Sequence, residues 1–355
     1  MREQSLISLT SDQSSEKNQN SLRLLLHTTA PRQPTASRLP AMAARPRSRP
    51  RRFADIHRLR RLLLLLPLAL LLVLLGQLPA LLLRRVNSLG RRCLPAATDR
   101  RLLFPSPVPG PRLSLAIVTL ADEDASASGG RRSFRGVLAA SARNKRAYAA
   151  AHGYGLVSLP ASAVDRSRPP SWSKVLALRG QLRHHHWLFW NDADTLVTNP
   201  EIPLERILFS VIGHNDFDES PDLVLTEDFG GVNAGVFFIR RSKWSERFLD
   251  TWWNQTSFVQ FGSTRSGDNA ALKHLIDHLS AEEMQAHVRI AKMQCLFNSY
   301  PWILTWKSVH RLIFHLPTTW KGVYSDGDFM IHFAGIDDKR SWTNKILGDI
   351  NSKVI

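Results

Sequence analysis

Leu62–Leu83, LLLLLPLALLLVLLGQLPALLL, runs for 22 residues without a charge and is polar only at Gln77. As a helix rising 1.5 Å per residue it is about 33 Å long, enough to cross a hydrocarbon layer of about 30 Å once. Pro67 and Pro79 each remove a backbone donor, which a membrane helix tolerates. A cleaved signal peptide has an apolar region of about 7–15 residues nearer the N-terminus. The longer, deeper run here therefore reads as a signal anchor. Residues 42–61 carry eight Lys/Arg and residues 84–103 carry six, a bias that puts the N-terminus in the cytoplasm and the rest in the lumen. The triplet Asn254-Gln255-Thr256, an N-glycosylation acceptor sequence, agrees with that orientation.

The span also divides the charge. A formal net charge of +17 suggests nucleic acid until it is located: residues 1–101 hold 19 Lys/Arg against 5 Asp/Glu, and residues 102–355 hold 28 against 25. The C-terminal part is nearly neutral and has no compact Lys/Arg cluster with interleaved aromatics, so DNA or RNA binding is not expected. Residues 1–61, rich in Ser, Gln, Pro and Arg, read as a disordered basic cytoplasmic tail, with Met42 a second candidate start. Residues 84–112, with Pro95, Pro105, Pro107, Pro109 and Pro111, read as an extended stem. Residues 113–355 are the folded domain. Cys93 and Cys295 are the only cysteines. One beside the span and one deep in the domain exclude an intradomain disulfide framework, leaving free thiols or an intermolecular link. A homo- or hetero-oligomer stays open.

Within the domain, Leu113–Leu120 is a β-branched and aliphatic run that reads as a buried parallel strand. A helix over 132–152 ends at Gly153. Gly155–Leu159 is the second strand, and Ser171–His186 is a helix that Ser171 can cap. Trp187–Trp190 is the third strand, followed later by a strand over Val236–Arg240, a helix over 245–253, a helix entered near Asp268 and a short strand in Gly327–Ile336. Strand, helix, strand, helix, strand over about 80 residues predicts an α/β sheet of nucleotide-binding topology.

The third strand runs into NDADTLVTNP, with Asp192 and Asp194 one residue apart. Residues i and i+2 of an extended segment face one side, so both carboxylates can meet one divalent cation and, through it, a diphosphate. The chain has 20 aspartates, which give roughly one such pair by chance, and it has four. Of the four, which include Asp122/Asp124, Asp216/Asp218 and Asp326/Asp328, only Asp192/Asp194 follows an aromatic and aliphatic run long enough to be a buried strand. Asp192/Asp194 sits where open α/β sheets bind ligands, beyond a strand's carboxyl end, although an acidic turn after a strand would look the same. His184–His186 is rejected as a metal cluster, because consecutive helical residues point about 100° apart; positive charge at a helix C-terminus is the simpler account.

Taken in order, WSK (172–174), NDAD (191–194), NAGVFFIRR (233–241) and HFAG (332–335) resemble glycosyltransferase family 34, which includes fungal α-galactosyl- and α-mannosyltransferases and plant xyloglucan xylosyltransferases. NKRAYAAAHGY (144–154) and FNSYP (297–301) belong to the resemblance, which runs from about Leu113 to Trp342. It implies the GT-A fold, a Rossmann-like single domain behind a transmembrane helix, and a retaining Golgi enzyme. The expected activity is transfer of galactose, mannose or xylose from a UDP- or GDP-sugar to a glycan acceptor. It further implies Asp194 and His332 as metal ligands, with Asp192 on ribose or a metal-bound water. Carboxylate and phosphate oxygens suit Mg²⁺ or Mn²⁺, and an imidazole tilts the choice to Mn²⁺.

Lys174, Asn233, Gly235, Gly335 and Lys339 are the expected donor-binding residues, with the Lys339 ammonium on the diphosphate. Asp268 and Asn269 stand where the family usually shows Asp-Gln and are the expected catalytic pair, Asp268 orienting donor hydroxyls and Asn269 contacting the anomeric region. Asn269 is one methylene shorter than the usual glutamine. Ile336 replaces a cysteine common after HFAG. Another GT-A family, or a membrane-tethered, catalytically silent sugar- or partner-binding module, is the alternative reading.

Overall fold

The computed structural model of the chain describes residues 52–94, 113–120, 134–214, 216–219, 221–262 and 266–352. The tail expected over 1–51, most of the stem over 95–112 and the pair Asp122/Asp124 lie outside the described residues.

Helix α1 (Arg52–Arg84) carries the apolar run, is long and apolar enough to cross a membrane, and leaves Leu62–Leu66, Leu68, Leu70, Leu71, Leu74, Leu78, Leu81 and Leu82 exposed. Residues 85–94 are turns packed on the domain rather than the extended stem that prolines farther on suggested.

The domain is built on a six-stranded sheet ordered β2 (Gly155–Leu159), β1 (Leu115–Leu120), β3 (Trp187–Asn191), β8 (Val236–Arg240), β5 (Leu223–Leu225), β9 (Val288–Ile290). β1 pairs in parallel with both β2 and β3, and β3 pairs antiparallel with β8. Alternate residues of each central strand enter opposite cores. Ala116, Val118, Leu188, Trp190, Phe237 and Ile239 pack on one side; Leu115, Ile117, Trp187, Phe189, Val236 and Phe238 pack on the other. Helices cover both faces, which is why these strands are apolar throughout instead of alternating.

Helices α2 (Val137–His152) and α4 (Leu204–Ile212) lie on one face. Helices α3 (Ser173–Leu182), α5 (Lys243–Trp253) and α6 (Gly267–Asp277) lie on the other. The chain passes from β1 to β2 on one side and then to β3 on the other, so a topological switch point lies at β1/β3, where α/β sheets bind ligands. Beyond the sheet follow α7 (Ala281–His287), α8 (Trp306–Phe314), α9 (Leu316–Gly322) and α10 (Lys339–Asn351). A two-stranded ribbon pairs β4 (Thr195–Val197) with β10 (Met330–His332), and a hairpin joins β6 (Glu227–Asp228) to β7 (Gly231–Val232).

Three expectations need correction. Cys93 and Cys295 form a disulfide across 202 residues of sequence. Composition had placed Cys93 on a stem away from the domain, whereas the turns carrying it fold back onto it. Ser171 does not cap α3: Pro170–Trp172 form a 3₁₀ turn first, and the Ser171 hydroxyl bonds to Asp268. The histidines follow the end of α3 at Leu182 and are not its last turn. His186 Nδ1 accepts from the Ser114 N–H at 2.9 Å and His185 Nδ1 lies 3.0 Å from Ser114 Oγ, tying the entry of β3 to that of β1.

Candidate active site

Asp192 and Asp194 lie on a turn between β3 and β4, and strand registers bring two distant segments to them. Asn191 pairs with Val236 across β3/β8, and the Asp192 N–H donates to Gly235 O at 2.8 Å. Thr195 pairs with His332 across β4/β10, and the Phe333 N–H donates to Asp194 O at 2.9 Å. Ligand atoms of Asp192, Asp194 and His332 thereby lie within 4.8 Å of one another. Carboxylate oxygens and an imidazole nitrogen in that spacing suit a divalent cation of the Mn²⁺ or Mg²⁺ type.

The tautomer of His332 follows from its neighbours. Asn298 Nδ2 donates to Thr226 Oγ1 at 2.9 Å and to Asn233 Oδ1 at 3.0 Å. Its Oδ1 is thus left to accept from His332 Nδ1 at 2.8 Å. The Nε2 lone pair then faces Asp194, 3.6 Å from Oδ1, the outer-sphere arrangement that orients a metal-binding histidine. Asn233 Oδ1 also accepts from the Gly235 N–H, and its amide nitrogen donates to Asp228 and to the Tyr300 hydroxyl. Asn233, expected beside the donor, is therefore committed at both ends of its amide to holding this loop.

Three lysines reach the acidic pair. Lys339 ion-pairs with Asp194, donates to Phe333 O at 2.8 Å and lies over the Phe134 ring; it is buried. Burial alone would raise the Asp194 carboxyl, but the Lys339 ammonium holds it well below the usual carboxylate range. Lys174 sits 3.3 Å from Asp192 Oδ1 and 2.9 Å from Asp268 Oδ2, and donates to Ala234 O at 2.8 Å. Burial opposes its charge, yet the two carboxylates raise its pKa. Lys145 approaches from behind, donating to Asp192 O at 2.9 Å and to Thr119 Oγ1 at 3.1 Å. Burial pulls it down to about 7 against the pull of Asp194 and Asp192.

The sequence did not mark Lys145, Asn298 or Tyr300 as site residues. For Lys145 a signal existed: it falls on the buried face of α2 with Val137, Ser141, Tyr148 and Ala149, where an unpaired lysine would be costly.

Asp268, at the start of α6, is fully buried. Its carboxylate meets Lys174 and the Ser266 and Ser171 hydroxyls, behind Asp192. Asn269 Oδ1 accepts from the Ala234 N–H at 2.6 Å and its Nδ2 donates to Val232 O at 3.3 Å, so its amide clamps the loop ahead of β8. Gly335, at φ 73°, turns the chain out of β10 toward α10, which a residue with a Cβ adopts poorly.

Gly235 is pressed against the acidic pair: a Cβ there would lie 2.4 Å from His332 Cε1 and 3.2 Å from Asp192 Oδ2. Gly235→Ala is expected to displace the imidazole and weaken Mn²⁺ binding by about 10- to 100-fold, the range seen when a ligand's orientation is disturbed, with little change in Tm. Titration of Mn²⁺ by calorimetry measures it; unchanged affinity would refute the close packing.

The other described D-x-D pairs serve the chain itself. The Asp218 N–H donates to Asp216 Oδ1 in an exposed turn, and Asp326 and Asp328 pair with Arg84 and Arg91.

Paired carboxylates and an oriented imidazole at the switch point of an α/β sheet form a cluster that could hold a divalent cation. The sequence profile of the galactosyl transferase GMA12/MNN10 family matches residues 114–221 and 208–342, and the chain belongs to this family of glycosyltransferases. It is 28% identical over 190 residues to the probable alpha-1,6-mannosyltransferase MNN10 of Saccharomyces cerevisiae, covering 46% of this chain and 43% of that one. It is 26% identical over 224 residues to an uncharacterized alpha-1,2-galactosyltransferase of Schizosaccharomyces pombe, covering 54% of each. The chain thus spans about half the length of the curated relatives it matches. Among solved structures, a glycosyltransferase involved in glycosylation of the major capsid of PBCV-1 aligns with TM-score 0.45 and 11% identity, over 66% of this chain and 99% of that one.

Proposed function

We propose that the chain is a metal-dependent, retaining glycosyltransferase of GT-A type, transferring galactose, mannose or xylose from a UDP- or GDP-sugar to a glycan hydroxyl as a type II protein of the Golgi membrane. The observation that carries this reading is the convergence of Asp192, Asp194 and His332 within 4.8 Å at the end of β3, in a member of a glycosyltransferase family. The relatives' names speak of mannosyl and galactosyl transfer. The anchoring reading rests on α1 and on the exposed acceptor residue Asn254.

Asp194, His332 and Asp192 would hold the cation, which as a Lewis acid offsets the charge that develops on the leaving diphosphate. Lys339 adds an ammonium at the Asp194 edge, and Lys174 keeps Asp192 fixed from the opposite side; fixed charges at a developing anion need no reorganisation during reaction. Asp268 is enclosed by Lys174 and two hydroxyls and is not presented as a nucleophile. That supports a front-face reaction, in which acceptor and leaving group share one side of the sugar, with Asp268 a positioning residue for Lys174. Asn269 keeps the loop before Gly235 in register beside the donor.

The full-length protein in detergent, given UDP-galactose, UDP-xylose and GDP-mannose separately, is expected to hydrolyse or transfer one of them in Mn²⁺ and to lose that activity in EDTA. No turnover of any donor in either condition would leave a binding module as the better account.

A further inference from the structure

We infer that α8 and its flanks form a second membrane contact, an interfacial foot that dips into the lumenal leaflet beside α1; this rests on the reading of α1 as a membrane anchor. Leu304, Trp306, Ile313, Phe314 and Leu316 are each at least half exposed, Trp306 at 82%. They crowd into 13 residues of a domain that otherwise exposes few large apolar side chains. Between Trp302 and Val323 the chain carries Lys307, Arg311 and Lys321 and no acidic residue. Apolar and tryptophan side chains combined with basic ones suit a helix lying in the headgroup region.

Position selects lipid over other occupants. Leu304 abuts α1 inside its apolar run: a Cβ added at Gly76 would lie 3.1 Å from Leu304 Cδ2. Gly76 precedes Arg84 by eight residues, about 12 Å along the helix, so Leu304 lies below the level at which the span's charges begin. Leu83 and Val86 pack with Val323, Trp302, Leu312 and Trp320, which fixes the foot to the lumenal end of α1. The same packing leaves Ile313 and Phe314 exposed. A bilayer that receives α1 therefore meets this face as well, and burying such side chains out of water is favourable.

The test places a nitroxide on Ile313→Cys in the full-length chain reconstituted into phosphatidylcholine vesicles, with Leu71→Cys in the span and the exposed Gln285→Cys as references. The expected result is an oxygen-to-nickel-reagent accessibility ratio at Ile313 severalfold above that at Gln285 and shifted toward that at Leu71. A lipid signature at Leu71 with a water signature at Ile313 overturns the foot and leaves the anchor standing. A water signature at both overturns the anchor and the foot together. Ile313 shielded from both reagents assigns the face to a protein partner and overturns the foot.

Discussion

His332→Ala is expected to lower donor turnover by about 100-fold or more while the domain stays folded, because it removes the proposed cation ligand, whose orientation its neighbours fix. Asn298, Asn233, Tyr300 and Asp228 form one hydrogen-bonded chain behind the imidazole, so the cavity keeps its shape when the ring is gone. Asp194→Ala should abolish turnover as well, but with a second effect. Lys339 is buried and paired with Asp194, and removing one partner of a buried ion pair costs about 3–5 kcal/mol. Asp194→Asn keeps the shape and softens that penalty. Measuring Mn²⁺-dependent turnover beside Tm separates the two: His332→Ala should lose activity at near-native Tm, and Asp194→Ala should lose both. Full activity in either variant would remove the metal-site reading.

How far the site could be read from sequence depends on how local its causes are. The β3 run and the aspartates after it were legible, because a strand buried on both faces needs an unbroken apolar run and its carboxyl end needs polar residues. His332 lies 138 residues beyond Asp194, and only the resemblance linked them; the β4/β10 register that does so leaves no periodic mark in three-residue strands. Asn298 and Tyr300 act through tertiary contacts, and nothing in their neighbours' spacing distinguishes them from surface residues, whereas Lys145 shares the buried face of α2. Asp268 and Asn269 were found, but their burial and hydrogen bonds were not, because the α6 pattern fixes a helix and not what its first turn faces. The disulfide was missed for the same reason: prolines after residue 94 describe the chain that follows, not the turns before them.

Those turns carry the other large expectation. The Arg91 guanidinium is fully buried, pairs with both oxygens of Asp328 at 2.6 and 2.8 Å, and donates to Val323 O and Trp320 O. Cys93 is joined to Cys295 two residues farther on. Arg91→Ala leaves the Asp328 carboxylate buried with Asn87, Ser299 and Ser325 as its remaining hydrogen-bond donors, and should cost about 3 kcal/mol in stability. Arg91→Lys should recover part of that, since an ammonium keeps the charge but not the separate nitrogens that reach Asp328, the Trp320 and Val323 carbonyls and Asn87. The pH dependence follows from sign. Burial already pushes the Asp328 carboxyl up, against Arg91 and its hydrogen-bond donors, and loss of Arg91 raises it further. A carboxyl whose folded pKa exceeds its unfolded one destabilises the fold increasingly as pH rises above the unfolded value of about 3.9. The deficit of Arg91→Ala should therefore shrink as the pH is lowered from about 7.5 toward 4.5, and unfolding of both proteins in urea across that range measures it. A deficit independent of pH would mean that Arg91 acts by packing alone. By the same argument, a soluble fragment begun after residue 94 loses Arg91 and the disulfide together, and should be markedly less stable than one begun at Leu83.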